Sequence, residues 1–240
     1  SENSRLSEVT PSVIERYQES LLKEAGPAKQ GIKPKLINFT LYLLRDVLDY
    51  SISLGYLNDN PALHTRFVEV PRQRIPQTLN GEVIQKLLRP APHQMKDIIQ
   101  LLLRTGMRVE ELIRLKWTNV DFEENRFTIG QLQKRRQIPF GDEIGSLVRR
   151  LKSAAIHDQE YAFTDADGQP LTKERVMEEC RRLVEKAGFN YPNVLSALRH
   201  TFARSMLVKG VSLVALSRLL GLHDISRVMI YAGFVSEKKY

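Results

Sequence analysis

Arg108 and Arg199 stand in two short runs, Thr105-Gly106-Met107-Arg108-Val109-Glu110-Glu111-Leu112 and Leu198-Arg199-His200-Thr201-Phe202, and Tyr231 lies near the end of the chain. Arginine suits a phosphoryl group, because its planar fork spans two oxygens and it stays protonated at any physiological pH. A phosphate in transfer gathers negative charge. Two such forks, with a side chain able to form a covalent intermediate, tyrosine among them, can serve phosphoryl transfer. Each residue also has an ordinary reading. Arg108 can cap a helix or pair with Glu110 or Glu111, Arg199 can be a solvated helix residue, and a tyrosine at a helix boundary is more often packing. Residue types alone leave that choice open.

The elements around these residues follow from hydrophobic period and punctuation. Thr10-Pro11 reads as an N-cap with proline at the first helical position, and Val13, Ile14, Tyr17, Leu21 and Leu22 continue at helical spacing to about Ala25. A Gly/Pro/Lys linker at 26–33 precedes a long amphipathic helix through Leu36, Phe39, Leu43, Val47 and Ile52 that closes at Gly55. Pro61 opens a short helix. Apolar density then falls, and Arg72 and Arg74 sit among prolines in a basic stretch, which sets the expected division: a helical domain at 1–66, a linker at 67–78 and a second domain at 79–240. In the second domain Asn80 caps a helix to about Leu88, and helices are expected at 96–104 and 108–117. The period then changes to short strands at 120–122, 126–129 and 136–140, a small antiparallel sheet. Helices resume at 143–153, at 173–187 with Thr172 as cap, at 198–208 and at 213–220. The fold class is mainly α with one small sheet (α+β).

Composition bounds the partners. The chain has 240 residues, 42% of them hydrophobic, which is enough for a real core in one large or two small domains. No apolar run approaches a membrane span, and Ser1-Glu2-Asn3-Ser4-Arg5 lacks the layout of a signal peptide, so the cytoplasm is the expected compartment and no membrane the expectation. The lone Cys180 cannot form an internal disulfide and reads as a buried small hydrophobe. Structural zinc is not expected. Thirty-six Lys plus Arg against 28 Asp plus Glu give a net charge of +8, which makes a polyanion the natural partner.

The order of parts resembles the tyrosine recombinase, or phage integrase, family, Xer-type resolvases included. Asn60-Pro61, Gly106-x-Arg108, Ile138-Pro139, Phe163 with Gly168-x-Pro170-Leu171, Leu198-Arg199-His200-Thr201 and Leu219-Leu220-Gly221 occur in the family's order, over roughly Thr10 to Tyr231. The resemblance implies a helical core-binding domain and a catalytic domain forming a C-shaped clamp around double-stranded DNA. It implies strand cleavage through a 3′-phosphotyrosyl link and a free 5′-hydroxyl, without metal or nucleotide. Arg108 and Arg199 match the two family arginines, and Tyr231 matches the nucleophile.

The remaining positions depart from the pattern. The family lysine, eight residues before the hairpin proline, falls here on Gln131, and glutamine cannot act as a general acid. Lys134 is the nearby candidate. The family's His-x-x-Arg is Ser196-Ala197-Leu198-Arg199, and its Leu-Gly-His has leucine at 222 with a histidine one place later, at His223. A serine hydroxyl can hydrogen-bond a phosphate but is a poor base near neutral pH. The candidate catalytic set is therefore Arg108, Arg199, Tyr231, Lys134 and His223. General acid and base groups typically contribute about 10²- to 10⁴-fold each.

Three readings stay open: a recombinase or integrase of a phage or mobile element, an impaired relative that keeps the clamp as a DNA-binding accessory or regulatory factor, and a protein-interaction module with an incidentally basic surface. Arg108, Arg199 and Tyr231 favour the first; Gln131, Ser196 and Leu222 favour the second. For contacts with DNA the candidates are Lys33, Lys35 and Arg45 in the first domain, Arg72 and Arg74 in the linker, and Lys173, Arg175 and Arg182 in the second domain. A monomer in solution and a dimer or tetramer on DNA are the expected states.

Overall fold

Asn80, Thr172 and Asn193 each start a helix by turning a side-chain oxygen onto a backbone N–H of the first turn, of Val83, Arg175 and Ser196 respectively. The computed structural model describes residues 6–23, 34–69, 76–130, 135–156, 158–189, 191, 193–222 and 225–235. In chain order the elements are α1 (Pro11–Lys23), α2 (Pro34–Ser53), a 3-10 turn (Pro61–His64), α3 (Gly81–Leu88), α4 (His93–Thr105), α5 (Val109–Ile113), β1 (Val120–Asp121), β2 (Arg126–Ile129), β3 (Arg136–Pro139), α6 (Asp142–Ala154), α7 (Lys173–Lys186), α8 (Val194–Val208), α9 (Leu213–Leu220), α10 (Ile225–Val228), a 3-10 turn (Met229–Tyr231) and α11 (Ala232–Val235). The protein is mainly helical with one three-stranded antiparallel sheet, β1-β2-β3.

Two differences from the sequence expectation touch the site. The helix expected at 108–117 stops at Ile113, and Trp117 opens a separate 3-10 turn. Helix α8 starts a turn earlier than expected, because Asn193 is its cap, so Ser196 lies inside its first turn.

By packing, the chain forms two units, one of residues 1–75, 212–217 and 222–240, the other of 76–211 and 218–221. The sequence division kept 79–240 together; the segments 212–217 and 222–240 group with residues 1–75 instead. In the first unit Ile14, Leu41, Leu48 and Ala62 form the core, backed by Val9, Leu44 and Leu57. Among the described residues its buried polar side chains are hydrogen-bonded. Asn60 accepts from Ala62 N–H at 3.0 Å and donates to Arg45 O at 3.0 Å and Asp49 Oδ1 at 2.6 Å, which explains the asparagine of Asn-Pro. Asn38 closes a reciprocal pair with the Val68 backbone at 2.8 Å in each direction.

In the second unit Ile98, Leu101, Leu102, Leu112, Phe127, Phe163 and Leu198 are among the most buried side chains. Phe127 faces Ile138 across the β2–β3 ladder, its ring centroid 4.5 Å from that of Phe140, so alternate residues of the hairpin enter the core. Helix α4 packs along α8, which brings the N-terminal end of the first arginine run beside the second. Cys180 is 1% exposed on the buried face of α7, and burial pushes its thiol up to about 12.

Candidate phosphate-binding site

Helix α4 ends at a built corner. Thr105 donates its hydroxyl to Leu101 O at 2.6 Å and accepts from Met107 N–H at 3.3 Å. Gly106 follows in the left-handed region at φ +62°, where a side chain is disfavoured, and its N–H reaches Leu102 O. The chain then turns into α5 with Arg108 as N-cap, its own N–H donating to Glu111 Oε2 at 2.8 Å. This half of a capping box leaves the exposed Arg108 side chain outside the turn.

Arg199 comes to the same corner from α8. One terminal nitrogen donates to Gly106 O, and the other to Leu220 O at 2.6 Å. The carbonyl of Leu220 is one of those the C-terminus of α9 leaves without a helical partner, so the cation meets the negative end of that helix. Two residues on, Thr201 donates to Ala197 O at 2.7 Å and accepts from Leu79 N–H at 2.8 Å, fixing the start of the unit to α8. The neighbouring His200 is half-buried, and burial followed by the Arg199 charge holds its imidazole below the usual histidine range.

The spacing of the motifs did not single out Glu111 and Arg136 as a pair. Arg136 grips the Glu111 carboxylate with both terminal nitrogens, at 2.8 and 2.7 Å, and donates its Nε to Leu219 O at 2.9 Å. Burial works against the charge on Glu111. The Arg136 fork and the Arg108 N–H outweigh it, with the Arg199 charge adding, and the carboxyl is held below its usual range. The one sequence signal was the glutamate three places after Arg108, the spacing of a capping box.

A cleft of about 810 Å³ opens beside this corner, lined by Arg108, Glu111, Arg114, Lys116, Asn119 and Tyr161 among others. Lys173, at the first position of α7, pairs with Glu110 at 2.5 Å; this contact raises the lysine's pKa and lowers the glutamate's. Arg182 pairs with Glu178 and Glu179 on the exposed face of α7, and Arg175 is exposed there. Lys35 is half-buried on α2. Arg45 is turned onto the chain itself: it donates to Ala62 O at 2.9 Å and Thr65 O at 3.2 Å and lies 4.5 Å over the Phe67 ring. The sequence suggested a phosphate contact at this position; these contacts hold the guanidinium against its own chain. Lys33, Arg72, Arg74, Lys134 and His223 lie outside the described residues, as does Gln131.

Tyr231 ends the 3-10 turn of the first unit. It is 2% exposed, with its ring stacked on Phe234 at a centroid distance of 6.2 Å. Among the described residues no group of three or more His, Cys, Asp or Glu side chains could hold a metal ion, and no helix is long and apolar enough to cross a membrane. A guanidinium locked to two carbonyls and a second arginine two residues from one of them form a cationic corner suited to a phosphoryl group.

The model of the phage integrase family matches residues 77–236. Tyrosine recombinase XerC of Haemophilus influenzae (strain 86-028NP) is 30% identical over 237 residues, covering 94% of this chain and 77% of that protein. Tyrosine recombinase XerD of Listeria innocua serovar 6a is 27% identical over 219 residues, covering 85% and 73%. Among solved structures, XerA recombinase superposes with a TM-score of 0.60 at 24% identity, over 99% of this chain and 87% of that one. The Tn1549 transposon integrase in complex with circular intermediate DNA gives 0.57 at 21% identity, over 93% and 81%.

Proposed function

We propose, since the chain belongs to the phage integrase family, that it binds double-stranded DNA and cleaves and rejoins one strand at a specific site, as a recombinase of a phage or mobile element. Arg108 and Arg199 hold the non-bridging oxygens of the scissile phosphate. The Tyr231 phenol gives its proton to solvent and attacks phosphorus, the bond between phosphorus and the 5′-oxygen breaks, and that oxygen takes up a proton, leaving a 3′-phosphotyrosyl link and a free 5′-hydroxyl. Lys134 supplies that proton, and His223 and Ser196 hydrogen-bond the phosphate. Religation runs the same steps in reverse.

One observation carries the reading: the Arg199 guanidinium is bonded to the carbonyl of Gly106, two residues from Arg108, so both family arginines belong to one corner of one unit. Lys33, Lys35, Arg72, Arg74, Lys173, Arg175 and Arg182 contact the DNA backbone. The protein acts in the cytoplasm, as a monomer when free and as a dimer or tetramer on its site. The Tn1549 integrase and the XerH recombinase, whose solved complexes contain DNA, support a DNA partner. The XerC and XerD relatives keep a chromosomal site in view as an alternative target.

A second reading, a DNA-binding accessory without cleavage, is favoured by Gln131, Ser196 and Leu222 at positions where the family places a lysine and two histidines. One experiment separates the two. A duplex recovered from a random library by binding to the protein is nicked as a suicide substrate and incubated with wild type and with Tyr231→Phe. A covalent band on a denaturing gel that the variant lacks establishes the recombinase. Salt-sensitive binding with no band from wild type establishes the accessory.

A further inference from the structure

Arg136 stands on β3 and is the point at which three segments of the second unit meet. Its fork holds both oxygens of Glu111, whose Oε2 also accepts the Arg108 N–H, and its Nε holds the carbonyl of Leu219. The next carbonyl along, that of Leu220, is held by Arg199. Consecutive carbonyls at the C-terminus of α9 are thus each bonded by a different guanidinium, with Glu111 between the cations as the shared counter-charge. The side chains of Arg136 and Glu111 are 11% and 17% exposed, so the pair is too covered to be a principal DNA contact. Gly221 makes room for it: a β-carbon there would lie 2.7 Å from Arg136 Nη1, and the residue sits at φ +61°.

We propose that Arg136 is a positioning residue for the phosphate-binding arginines, occupying Glu111 and the end of α9 so that Arg108 and Arg199 are presented to DNA. This rests on the reading that the two arginines bind a phosphate. Without the fork, Glu111 is a half-buried carboxylate that keeps the Arg108 N–H and has the Arg199 charge acting on it, and it draws the Arg199 or Arg108 side chain toward itself and away from the phosphate. A lysine at 136 cannot replace the arginine, because one ammonium does not span two carboxylate oxygens and a carbonyl in a fixed plane.

The test is phosphate-ethylation interference on the selected duplex, which reads phosphate contacts one at a time and needs no cleavage. In wild type, ethylating the phosphate held by the arginine pair weakens binding about tenfold or more, the scale of lost hydrogen bonds to charge. That phosphate is identified as the one whose interference disappears in Arg108→Ala and Arg199→Ala. Arg136→Met loses interference at that phosphate and keeps it elsewhere, Arg136→Lys does the same, and the double variant Arg136→Met/Glu111→Gln recovers it, since the rival charge is gone. Thermal midpoints confirm that each variant is folded, and Arg136→Lys carries the test if Arg136→Met is not. Interference at the wild-type level in the folded Arg136 variants, or a double variant no better than Arg136→Met, overturns the positioning role alone. A wild type with no phosphate sensitive to Arg108 and Arg199 overturns the phosphate reading, and this role with it.

Discussion

Gly106 and Phe202 are packed so closely that a β-carbon on Gly106 would lie 2.3 Å from Cδ1 of Phe202 and 2.9 Å from Cδ2 of Leu220. The corner that carries Arg108 therefore leans directly on the helix that carries Arg199, and the glycine and phenylalanine of the two runs are one structural unit. Gly106→Ala adds both a left-handed backbone penalty and an overpacked contact, and is expected to cost about 2–4 kcal/mol. Urea unfolding with an unchanged m-value checks this. Phe202→Leu in the same chain relieves the clash and restores part of the loss, whereas a purely conformational penalty would leave the second substitution additive.

Arg45 tests how a surface-looking cation is to be understood. Its donors satisfy the carbonyls after the Pro61 turn and its plane covers Phe67, so Arg45→Met is expected to destabilise the protein by about 2 kcal/mol. DNA affinity and its dependence on salt stay as in wild type, because a residue that spends its charge on the chain releases no counterion from DNA. A shallower salt slope with unchanged stability would return Arg45 to the DNA surface.

Acid should loosen the second unit in two steps. His200 is held below the usual histidine range by burial and by Arg199, so the folded state binds its proton less readily than the unfolded chain. Its contribution to stability is present above about pH 6.5 and is lost as pH falls through the folded value. Burial raises the Glu111 carboxyl, but Arg136 and the Arg108 N–H bring it below the usual range, so its contribution is present above about pH 4.3 and is lost at lower pH. Thermal midpoints measured from pH 8 to pH 3 check both windows: His200→Gln flattens the upper one and Glu111→Gln the lower. A midpoint that rises on acidification would contradict both signs.

How far the sequence carried depended on whether a feature is local. Asn80, Thr172, the glycine of Thr-Gly-x-Arg and the alternation through Phe127 and Ile138 act within a few residues, so their spacing shows them. The Glu111–Arg136 pair does not, because the partners are 25 residues apart and each is an ordinary charge on its own element. Arg45 shows the same limit, since helical period gives a residue's face but not whether a long side chain turns toward solvent or back onto a carbonyl. Ser196 moved for another reason: Asn193 is a stronger helix start than the apolar pattern at Leu198 suggested. Tyr231 was legible as a position and not as an environment, for a tyrosine in sequence carries no sign of being 2% exposed.

That covering of Tyr231 gives the last expectation. A phenol 2% exposed and stacked on Phe234 cannot attack a phosphate that arrives from solvent until the ring is uncovered, so the free protein should hold Tyr231, the proposed nucleophile, unreactive. Nitration by tetranitromethane provides the scale within one molecule, because Tyr56 and Tyr50 are 69% and 65% exposed. Without DNA, Tyr231 should be modified at least about tenfold more slowly than either, as a side chain that reacts only through local opening. Bound to the selected duplex, it should gain reactivity while Tyr56 does not. Tyr231→Phe keeps the ring and its stack on Phe234, and the nitrated peptide should vanish. Equal labelling of Tyr231 and Tyr56 in the free protein would show that the nucleophile is already accessible and that DNA need not uncover it.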